Sequence, residues 1–295
     1  KDKWYYNECE KFQIYSTGSF HYKNKYYVDH NIGELLTSIL SEDFSPYNFN
    51  NLEYFNGSWS IIIYFKKIKK MMIVVDRYRS IPLFYTNLNG KIEISDDFNK
   101  LSKKTNNQID EISELQFYLS GFVTGENTLL KNIFQLKPSS YIYFEDTINK
   151  IEKEYTEFFS KNLAPDNLKK LESDLEKIIY NIRNRLRTVC TNKKVFLPLS
   201  GGNDSRLIAW MLKTSGIENV ICYTYGVSDN PQKTIAKSIA EAMGYDWYFI
   251  EYSKEEWNKI LVQNKDRENF WLYSSNGVSL PHLQDYPAVN YLFSK

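Results

Sequence analysis

The sequence predicts two domains of different fold class, an α+β domain in the first half and an α/β domain with a parallel sheet in the second. Runs of β-forming residues dominate the chain up to about residue 150. This β-rich pattern ends at a charged stretch at 150–153, and a helix-start signal follows at 164–167. From residue 195, short apolar strands alternate with helical patterns, which is typical of parallel sheets. We therefore place the boundary near 150–165 and the domains at 1–150 and 151–295.

The strands of the first half are predicted from β-forming runs. Trp59–Phe65 and Met71–Asp76 are joined by a lysine-rich turn, and this arrangement predicts a hairpin. Two further strands and two short helices are predicted at Leu83–Thr86, Ile92–Ser95, Ile32–Leu40 and Ile112–Leu119.

The second half begins with a long amphipathic helix, predicted over Leu168–Val189, which Asp166 or Asn167 can cap. Gly244 is expected to end a later helix. The alternating strands and helices that follow are predicted at Val195–Leu199, Ser205–Thr214, Val220–Tyr225, Pro231–Met243, Trp247–Glu251, Lys254–Val262 and Ala288–Phe293.

Composition excludes several classes of protein. The 295 residues include 37 Lys and Arg against 36 Asp and Glu, and a net charge of +1 argues against a protein that holds nucleic acid by bulk electrostatics. No apolar run approaches the roughly 20 residues that cross a bilayer, so we expect no membrane insertion. Three scattered cysteines and three histidines favour neither a disulfide framework nor a zinc module, and we expect a cytoplasmic protein.

The most informative segment is Ser200-Gly201-Gly202-Asn203-Asp204-Ser205, which lies between a predicted strand and a predicted helix. Adjacent glycines permit positive φ and a close approach of the backbone to a ligand. N–H groups at a helix start suit a phosphate, and the two serine hydroxyls add donors. Asp204 would repel a bare phosphate, so a bridging Mg²⁺ explains its presence. The alternative is a structural turn in which Asp204 or Ser205 merely caps the helix.

This segment resembles the SGGxDS loop of the PP-loop ATP pyrophosphatases, and within them the chain resembles the asparagine synthase family. The likeness continues at Tyr223–Gly226 and Ile235–Ala240. In the first half, the segments similar to that family's glutaminase domain are 52–60, 75–85, 94–97 and 125–138. The resemblance implies an Ntn-type glutaminase-like domain followed by an adenine nucleotide α-hydrolase-like PP-loop domain.

In that family, ATP activates a carboxylate as an acyl-adenylate, pyrophosphate leaves with Mg²⁺, and ammonia released from glutamine attacks to give an amide. The resemblance therefore implies ATP and Mg²⁺ as cofactors, Asp204 as the metal ligand, and Leu199 and Tyr225 beside the adenine. The full set of implied nucleotide-binding residues is Leu199, Ser200, Gly201, Gly202, Asn203, Asp204, Ser205, Tyr225 and Gly226. His282 and Asp285 are candidates for contact with the substrate, with a helix cap as the alternative role. No catalytic residue is identified.

The sequence departs from the family at both ends. The family's nucleophile is an N-terminal cysteine, whereas position 1 is Lys and Cys9 lacks the small residue and apolar strand expected after it. The segments that grip glutamine and form the oxyanion hole are also missing, so we expect a shortened, degenerate glutaminase domain. A later SGxGxDE-like loop is absent before Lys295, and we expect a chain that is truncated at its C-terminus.

Three functions remain open from the sequence. The first is an ATP-dependent ligase that amidates aspartate or a sugar-linked acid with ammonia or another amine. The second is a glutamine-hydrolysing asparagine synthase with a cryptic glutaminase or a partner subunit. The third is a catalytically dead nucleotide-binding scaffold in surface-polysaccharide assembly. A homodimer is compatible with each of them.

Overall fold

The computed structural model describes residues 3–40, 49–156, 167–255, 257–258 and 265–293. The chain divides into two compact units. One is Lys1–Ser160 with Phe270–Pro281, and the other is Lys161–Asn269 with His282–Lys295. Residues 270–281 thus belong to the first unit although they follow the strands of the second.

Antiparallel β-structure dominates the first unit. Its strands in chain order are β1 (Tyr5–Glu8), β2 (Phe12–Tyr22), β3 (Lys25–Val28), β4 (Asn56–Phe65), β5 (Lys70–Val75), β6 (Phe84–Leu88), β7 (Lys91–Ser95), β8 (Phe134–Gln135), β9 (Ser140–Phe144) and β10 (Lys150–Glu154). The larger sheet has the order β1-β2-β4-β5-β9-β10, with β3 beside β2, and the smaller has the order β7-β6-β8. The predicted hairpin is confirmed as β4 and β5, which pair from Ser60 opposite Val75 to Phe65 opposite Lys70.

The helices of the first unit differ in how they bury their apolar residues. They are α1 (His30–Ile39), α2 (Phe98–Ser102) and α3 (Glu111–Ser120), with a 3-10 helix at Asn50–Tyr54. In α1 the periodic residues Ile32 and Leu36 are fully buried, as the helical spacing predicts. In α3, by contrast, Ile112 and Leu119 are exposed.

Strands β5 and β9 are buried on both faces. Because side chains alternate along a strand, Met72 and Val74 enter one core cluster, which includes residues of α1, while Ile73 and Val75 enter a second cluster. That second cluster contains Leu83 and other residues near the smaller sheet. Two-sided burial explains why β5 is an uninterrupted apolar run rather than an alternating one.

A buried carboxylate fixes the chain where it leaves β5. Asp76 has no solvent exposure, and its side chain accepts hydrogen bonds from the backbone N–H of Trp59, Tyr78 and Ser80 at 2.9–3.2 Å. The Ser80 hydroxyl donates to it as well, at 3.1 Å. Asp76 therefore satisfies donors of the sheet and of the following turn together.

The second unit alternates strands and helices. Its elements are α4 (Leu168–Cys190), β11 (Val195–Pro198), α5 (Asn203–Thr214), β12 (Val220–Gly226), α6 (Gln232–Met243), β13 (Asp246–Glu251), α7 (Lys265–Ser275), which continues into the 270–281 segment, and α8 (Asp285–Phe293). The parallel sheet is confirmed, with the order β11-β12-β13 and with both strand pairs parallel.

Most of the predicted helix ends are also confirmed. Asn167 caps α4, because its side chain accepts from the N–H of Lys170, and Gly244 ends α6 with a φ of 67°. Of the helix predicted over Lys254–Val262, residues 254, 255, 257 and 258 are helical, and the remaining residues lie outside the described part.

The core of this unit lies between the sheet and its helices. Its buried residues come from the sheet and the loop after β11 (Leu197, Leu199 and Cys222) and from α6 (Ala236 and Ala240). This packing holds the helices against the sheet and leaves the loops after the strands together at its carboxyl edge. Among the described residues, no helix combines the length and the apolarity that crossing a membrane requires.

Replacing Asp76 should destabilise the first unit. Asp76→Ala removes the acceptor of three backbone N–H groups, and we expect the free energy of unfolding to fall by about 3 kcal/mol. Hydrogen exchange of peptides from β4 and β5, followed in increasing urea, measures this loss. Glu34→Ala, at an exposed position of α1, is the control and should change the unfolding free energy by less than about 0.5 kcal/mol. An equal effect of the two substitutions would contradict the role of Asp76.

Candidate functional site at the carboxyl edge of the parallel sheet

The loop after β11 brings its own donors together. The hydroxyls of Ser200 and Ser205 are 3.1 Å apart, and the N–H of Ser200 donates to the Ser205 hydroxyl at 3.2 Å. The N–H of Gly202 donates to the Ser200 hydroxyl at 3.1 Å. The segment Ser200–Ser205 thus forms a compact turn that leads into the first turn of α5, where backbone N–H groups and hydroxyls are concentrated.

The reason for glycine in this loop differs from the one that the sequence suggested. Neither Gly201 nor Gly202 has a positive φ, and Gly202 lies in the extended region at −74°. The absence of a side chain at Gly201 leaves room for two residues of α6. A Cβ at this position would lie 2.5 Å from Oε1 of Gln232 and 3.2 Å from the Ile235 side chain. Neither glycine adopts the positive φ that glycine permits, and the close contact of Gly201 is with α6.

Asp204 is exposed in the first turn of α5 and makes no hydrogen bond or ion pair with any described residue. The N-cap residue is Gly202, which has no side-chain cap, so Asp204 does not cap the helix. Arg206 turns back to the loop and donates to the Gly202 carbonyl at 3.3 Å and to Oδ1 of Asn203 at 2.6 Å. An uncompensated carboxylate beside a cluster of N–H and hydroxyl donors can hold a cation that also contacts an anion.

Tyr225, near the end of β12, contacts Asp285, which also lies close to His282. The Tyr225 hydroxyl donates to Oδ1 of Asp285 at 2.7 Å, and Nδ1 of His282 lies 3.0 Å from Oδ2 of the same carboxylate. Asp285 is the first residue of α8. One carboxylate therefore connects a phenol at the end of β12 with an imidazole.

A second tyrosine supports this cluster. The rings of Tyr225 and Tyr252 are stacked with their centroids 5.2 Å apart and an interplanar angle of 11°. Tyr252 donates to the Gln284 carbonyl at 2.6 Å and accepts from the Ala288 N–H at 3.1 Å, so it also fixes the start of α8.

Burial raises the pKa of the tyrosine phenols at this edge. For Tyr225, burial raises the pKa well above its ordinary value, and the hydrogen bond to Asp285 raises it further. For Tyr223, burial also raises the pKa, and the charge of Asp285 adds to the effect. At neutral pH these hydroxyls are therefore hydrogen-bond donors.

The other predicted site residues support the backbone at this edge. Leu199 is buried in the core, and its N–H and carbonyl bond to residues 223 and 224 of β12. Gly226 has a φ of 142°, and its carbonyl accepts from the Tyr252 N–H at 2.8 Å. The side chain of Leu199 is therefore part of the core, and its backbone groups are hydrogen-bonded to β12.

Sequence reasoning missed three residues of this region, Asn230, Gln232 and Tyr252. Asn230 donates to the Tyr225 carbonyl at 3.3 Å and accepts from the Gln232 N–H at 3.0 Å. Gln232 in turn accepts from the Gly201 N–H at 2.5 Å. All three follow a strand of the parallel sheet, and that position was the available signal.

Removing the charge of Asp285 should change the titration of Tyr225. Asp285→Asn deletes the carboxylate that disfavours phenolate, so we expect the pKa of Tyr225 to fall while staying above its ordinary value, because burial remains. Ultraviolet difference titration of phenolate absorbance measures the shift. Tyr225→Phe identifies the transition, and in that background most of the effect of Asp285→Asn should disappear. Identical titration curves with and without the carboxylate would contradict the cluster.

Residues 36–156 match a glutamine amidotransferase domain family. The chain is also 28% identical over 224 residues to the microcin J25-processing protein McjC of Escherichia coli, an alignment that covers 72% of this chain and 39% of McjC. The chain thus spans well under half of the length of this curated relative.

Two solved structures also match the chain. One is glutamine phosphoribosylpyrophosphate amidotransferase from B. subtilis in complex with ADP and GMP, at 10% identity and a TM-score of 0.26, covering 88% of this chain and 52% of that one. The other is an allosteric regulatory enzyme of purine biosynthesis, at 10% identity and a TM-score of 0.27, covering 88% and 51%. These scores are too low to define a common fold. The two sequence matches support an asparagine synthase-like family with a glutamine amidotransferase domain in the first half of the chain.

Proposed function

We propose that the protein is an ATP- and Mg²⁺-dependent ligase that forms an amide. A carboxylate oxygen of the acceptor attacks the α-phosphorus of ATP, the bond to the β-phosphate oxygen breaks, and pyrophosphate leaves. The nitrogen of ammonia or another amine then attacks the acyl carbon, the bond to AMP breaks, and the nitrogen loses a proton. The two sequence matches suggest an amide-forming ligase family, and the reaction itself is the proposal.

The exposed, unpartnered Asp204 beside the Ser200–Ser205 donors is the observation that carries this proposal. Asp204 lies in the first turn of α5 but does not cap the helix, so its carboxylate oxygens are available to a cation. Placed among N–H and hydroxyl groups, it gives the loop both acceptors for a cation and donors for an anion. This combination suits a metal-bound pyrophosphate better than either ligand alone.

The residues of the loop fit Mg²⁺ and a nucleotide. The described residues contain no group of three or more His, Cys, Asp or Glu side chains that would hold a metal by themselves. A single carboxylate agrees with the way Mg²⁺ binds with substrate phosphates, through one or two carboxylates and water. When bound, Mg²⁺ supplies positive charge that stabilises the developing pyrophosphate. The hydroxyls of Ser200 and Ser205 and the loop N–H groups provide the donors around it.

The cluster of Tyr225, His282 and Asp285 suits the second half of the reaction. An attacking amine must lose a proton, and an imidazole held through Nδ1 by a carboxylate keeps its other nitrogen available for that proton. Tyr225, as a hydrogen-bond donor, fixes the carboxylate that orients the ring. We assign His282 as the candidate base and Asp285 and Tyr225 as the residues that position it.

Asp204 should be required for pyrophosphate release. We expect Asp204→Asn to lower the rate by about a hundredfold or more, because the neutral amide binds Mg²⁺ poorly. The assay measures pyrophosphate from ATP over a panel of carboxylates, including aspartate and sugar-linked acids, with ammonia as the amine. Asp246→Asn, which changes an exposed carboxylate at the opposite end of β13, is the matched control.

The outcomes separate the functions. Release with ammonia that Asp204→Asn abolishes and Asp246→Asn preserves supports the ligase. Unchanged turnover of Asp204→Asn refutes the metal role. Binding of Mg²⁺-ATP without pyrophosphate release in the full chain favours the nucleotide-binding scaffold instead. The absence of both release and binding contradicts the proposed phosphate loop.

A glutamine-hydrolysing synthase is the second candidate, because residues 36–156 match a glutamine amidotransferase domain. Cys9 is a poor nucleophile for it. The thiol is half-buried and packs against the core cluster of the larger sheet, and the residue lies in the bend between β1 and β2. A nucleophilic thiol needs an activating neighbour and access to substrate, and this position offers core packing instead.

Cys9→Ala is therefore expected to leave pyrophosphate release unchanged, with either ammonia or glutamine as the nitrogen source. The same assay with glutamine in place of ammonia measures this. Cys222→Ala, which removes a fully buried thiol, serves as the control for lost packing. Loss of glutamine-dependent release alone, with ammonia-dependent release retained, would restore Cys9 as the nucleophile.

A further inference from the structure

The Gly201 N–H, a donor of the candidate phosphate loop, already has an acceptor from another element. Oε1 of Gln232, the first residue of α6, lies 2.5 Å from the Gly201 nitrogen. The same oxygen occupies the space into which a Cβ of residue 201 would project. The Gln232 side chain, which follows β12, thus occupies the backbone N–H of Gly201, which follows β11.

The backbone at Gln232 is fixed by the residues before it. Its own N–H donates to Oδ1 of Asn230 at 3.0 Å, and the Asn230 amide donates to the Tyr225 carbonyl at 3.3 Å. The contact with Gly201 is therefore the end of a chain of hydrogen bonds along the carboxyl edge. Since the Gln232 side chain is solvent-exposed, it can leave the glycine without opening the core.

An amide carbonyl oxygen and a phosphate oxygen are the same kind of hydrogen-bond acceptor. One N–H group cannot donate fully to both, so a phosphate that uses the Gly201 N–H must first displace Gln232. The net value of a neutral hydrogen bond of this kind corresponds to about a fivefold change in an equilibrium constant.

We propose that Gln232 is an internal competitor that occupies the Gly201 N–H in the ligand-free protein and sets the affinity of the loop for nucleotide phosphates. The inference rests on the proposed function, since it concerns the same loop. Gln232 on α6 contacts the Gly201 N–H while the site is empty, and a bound polyphosphate displaces it. The free energy of breaking this hydrogen bond lowers the affinity of the loop for phosphate.

Two substitutions at position 232 test the proposal in opposite directions. Gln232→Ala frees the N–H, and Mg²⁺-ATP and Mg²⁺-pyrophosphate should then bind about fivefold more tightly. Gln232→Glu keeps the shape but places a carboxylate on the N–H and beside the phosphate, so both ligands should bind about tenfold more weakly or worse. Thr234→Ala, on an exposed position of the same helix, is the control. Calorimetric titration of the full chain measures the dissociation constants.

A second measurement needs no nucleotide. In the ligand-free protein, Gln232→Ala should accelerate amide hydrogen exchange of Gly201 about fivefold, because the N–H loses its partner. Exchange of Gly202, whose N–H donates to the Ser200 hydroxyl, should not change. Nuclear magnetic resonance of the two glycine amides gives both rates.

Tighter binding by Gln232→Ala, weaker binding by Gln232→Glu and faster Gly201 exchange support the proposal, as does binding that appears only in Gln232→Ala. Equal affinities in all proteins that bind, or weaker binding by Gln232→Ala, overturn it and leave the ligase function intact. Unchanged Gly201 exchange also overturns it. If neither the wild type nor any variant binds Mg²⁺-ATP or pyrophosphate, this inference and the proposed function fail together.

Discussion

Parallel pairing of β11, β12 and β13 is the constraint on which the candidate site depends. Parallel strands end at the same edge of a sheet, so the segments that follow them must share that edge. The Ser200–Ser205 loop, the Asn230–Gln232 segment and Tyr252 are far apart in sequence but become neighbours for this reason. The buried packing of the helices against the sheet keeps their N-termini at the same place.

The chemistry at this edge is divided between two clusters. The loop after β11 concentrates N–H and hydroxyl donors around one uncompensated carboxylate, an arrangement suited to a polyphosphate with its cation. The second cluster joins a phenol, a carboxylate and an imidazole, an arrangement suited to holding and moving a proton. Hydrogen bonds through Asn230 and Gln232 run from the Gly201 N–H to the backbone carbonyl of Tyr225, whose hydroxyl belongs to the second cluster.

The first unit is stabilised in a different way. Its central strands are buried on both faces, and a fully buried carboxylate, Asp76, closes the turn after β5 by accepting from several backbone donors. Such a carboxylate is tolerable in the interior only because its acceptor capacity is used. The amidotransferase match covers residues 36–156 of this unit, and the half-buried Cys9 lies outside the matched range.

Elements with local residue patterns can be predicted from the sequence alone. The β4–β5 hairpin, the cap at Asn167, the end of α6 at Gly244 and the strand–loop–helix around Ser200 follow from side-chain periodicity and from the backbone preferences of a few residues. Strand β2 was not predicted, because its mixed polar and aromatic residues carry no clear period until partner strands bury them. Strand β9 was also not predicted, although residues 141–144 are a run of β-forming residues.

Contacts between side chains that are distant in sequence depend on the three-dimensional fold. Tyr225 and Asp285 were separate candidates in the sequence, and their hydrogen bond depends on how α8 packs after β13. Gln232 carried no signal of its own, and the reason for glycine at 201 was space beside α6 rather than positive φ. Contacts of this kind depend on the path of the backbone through space, and a linear pattern of residue types does not encode that path locally.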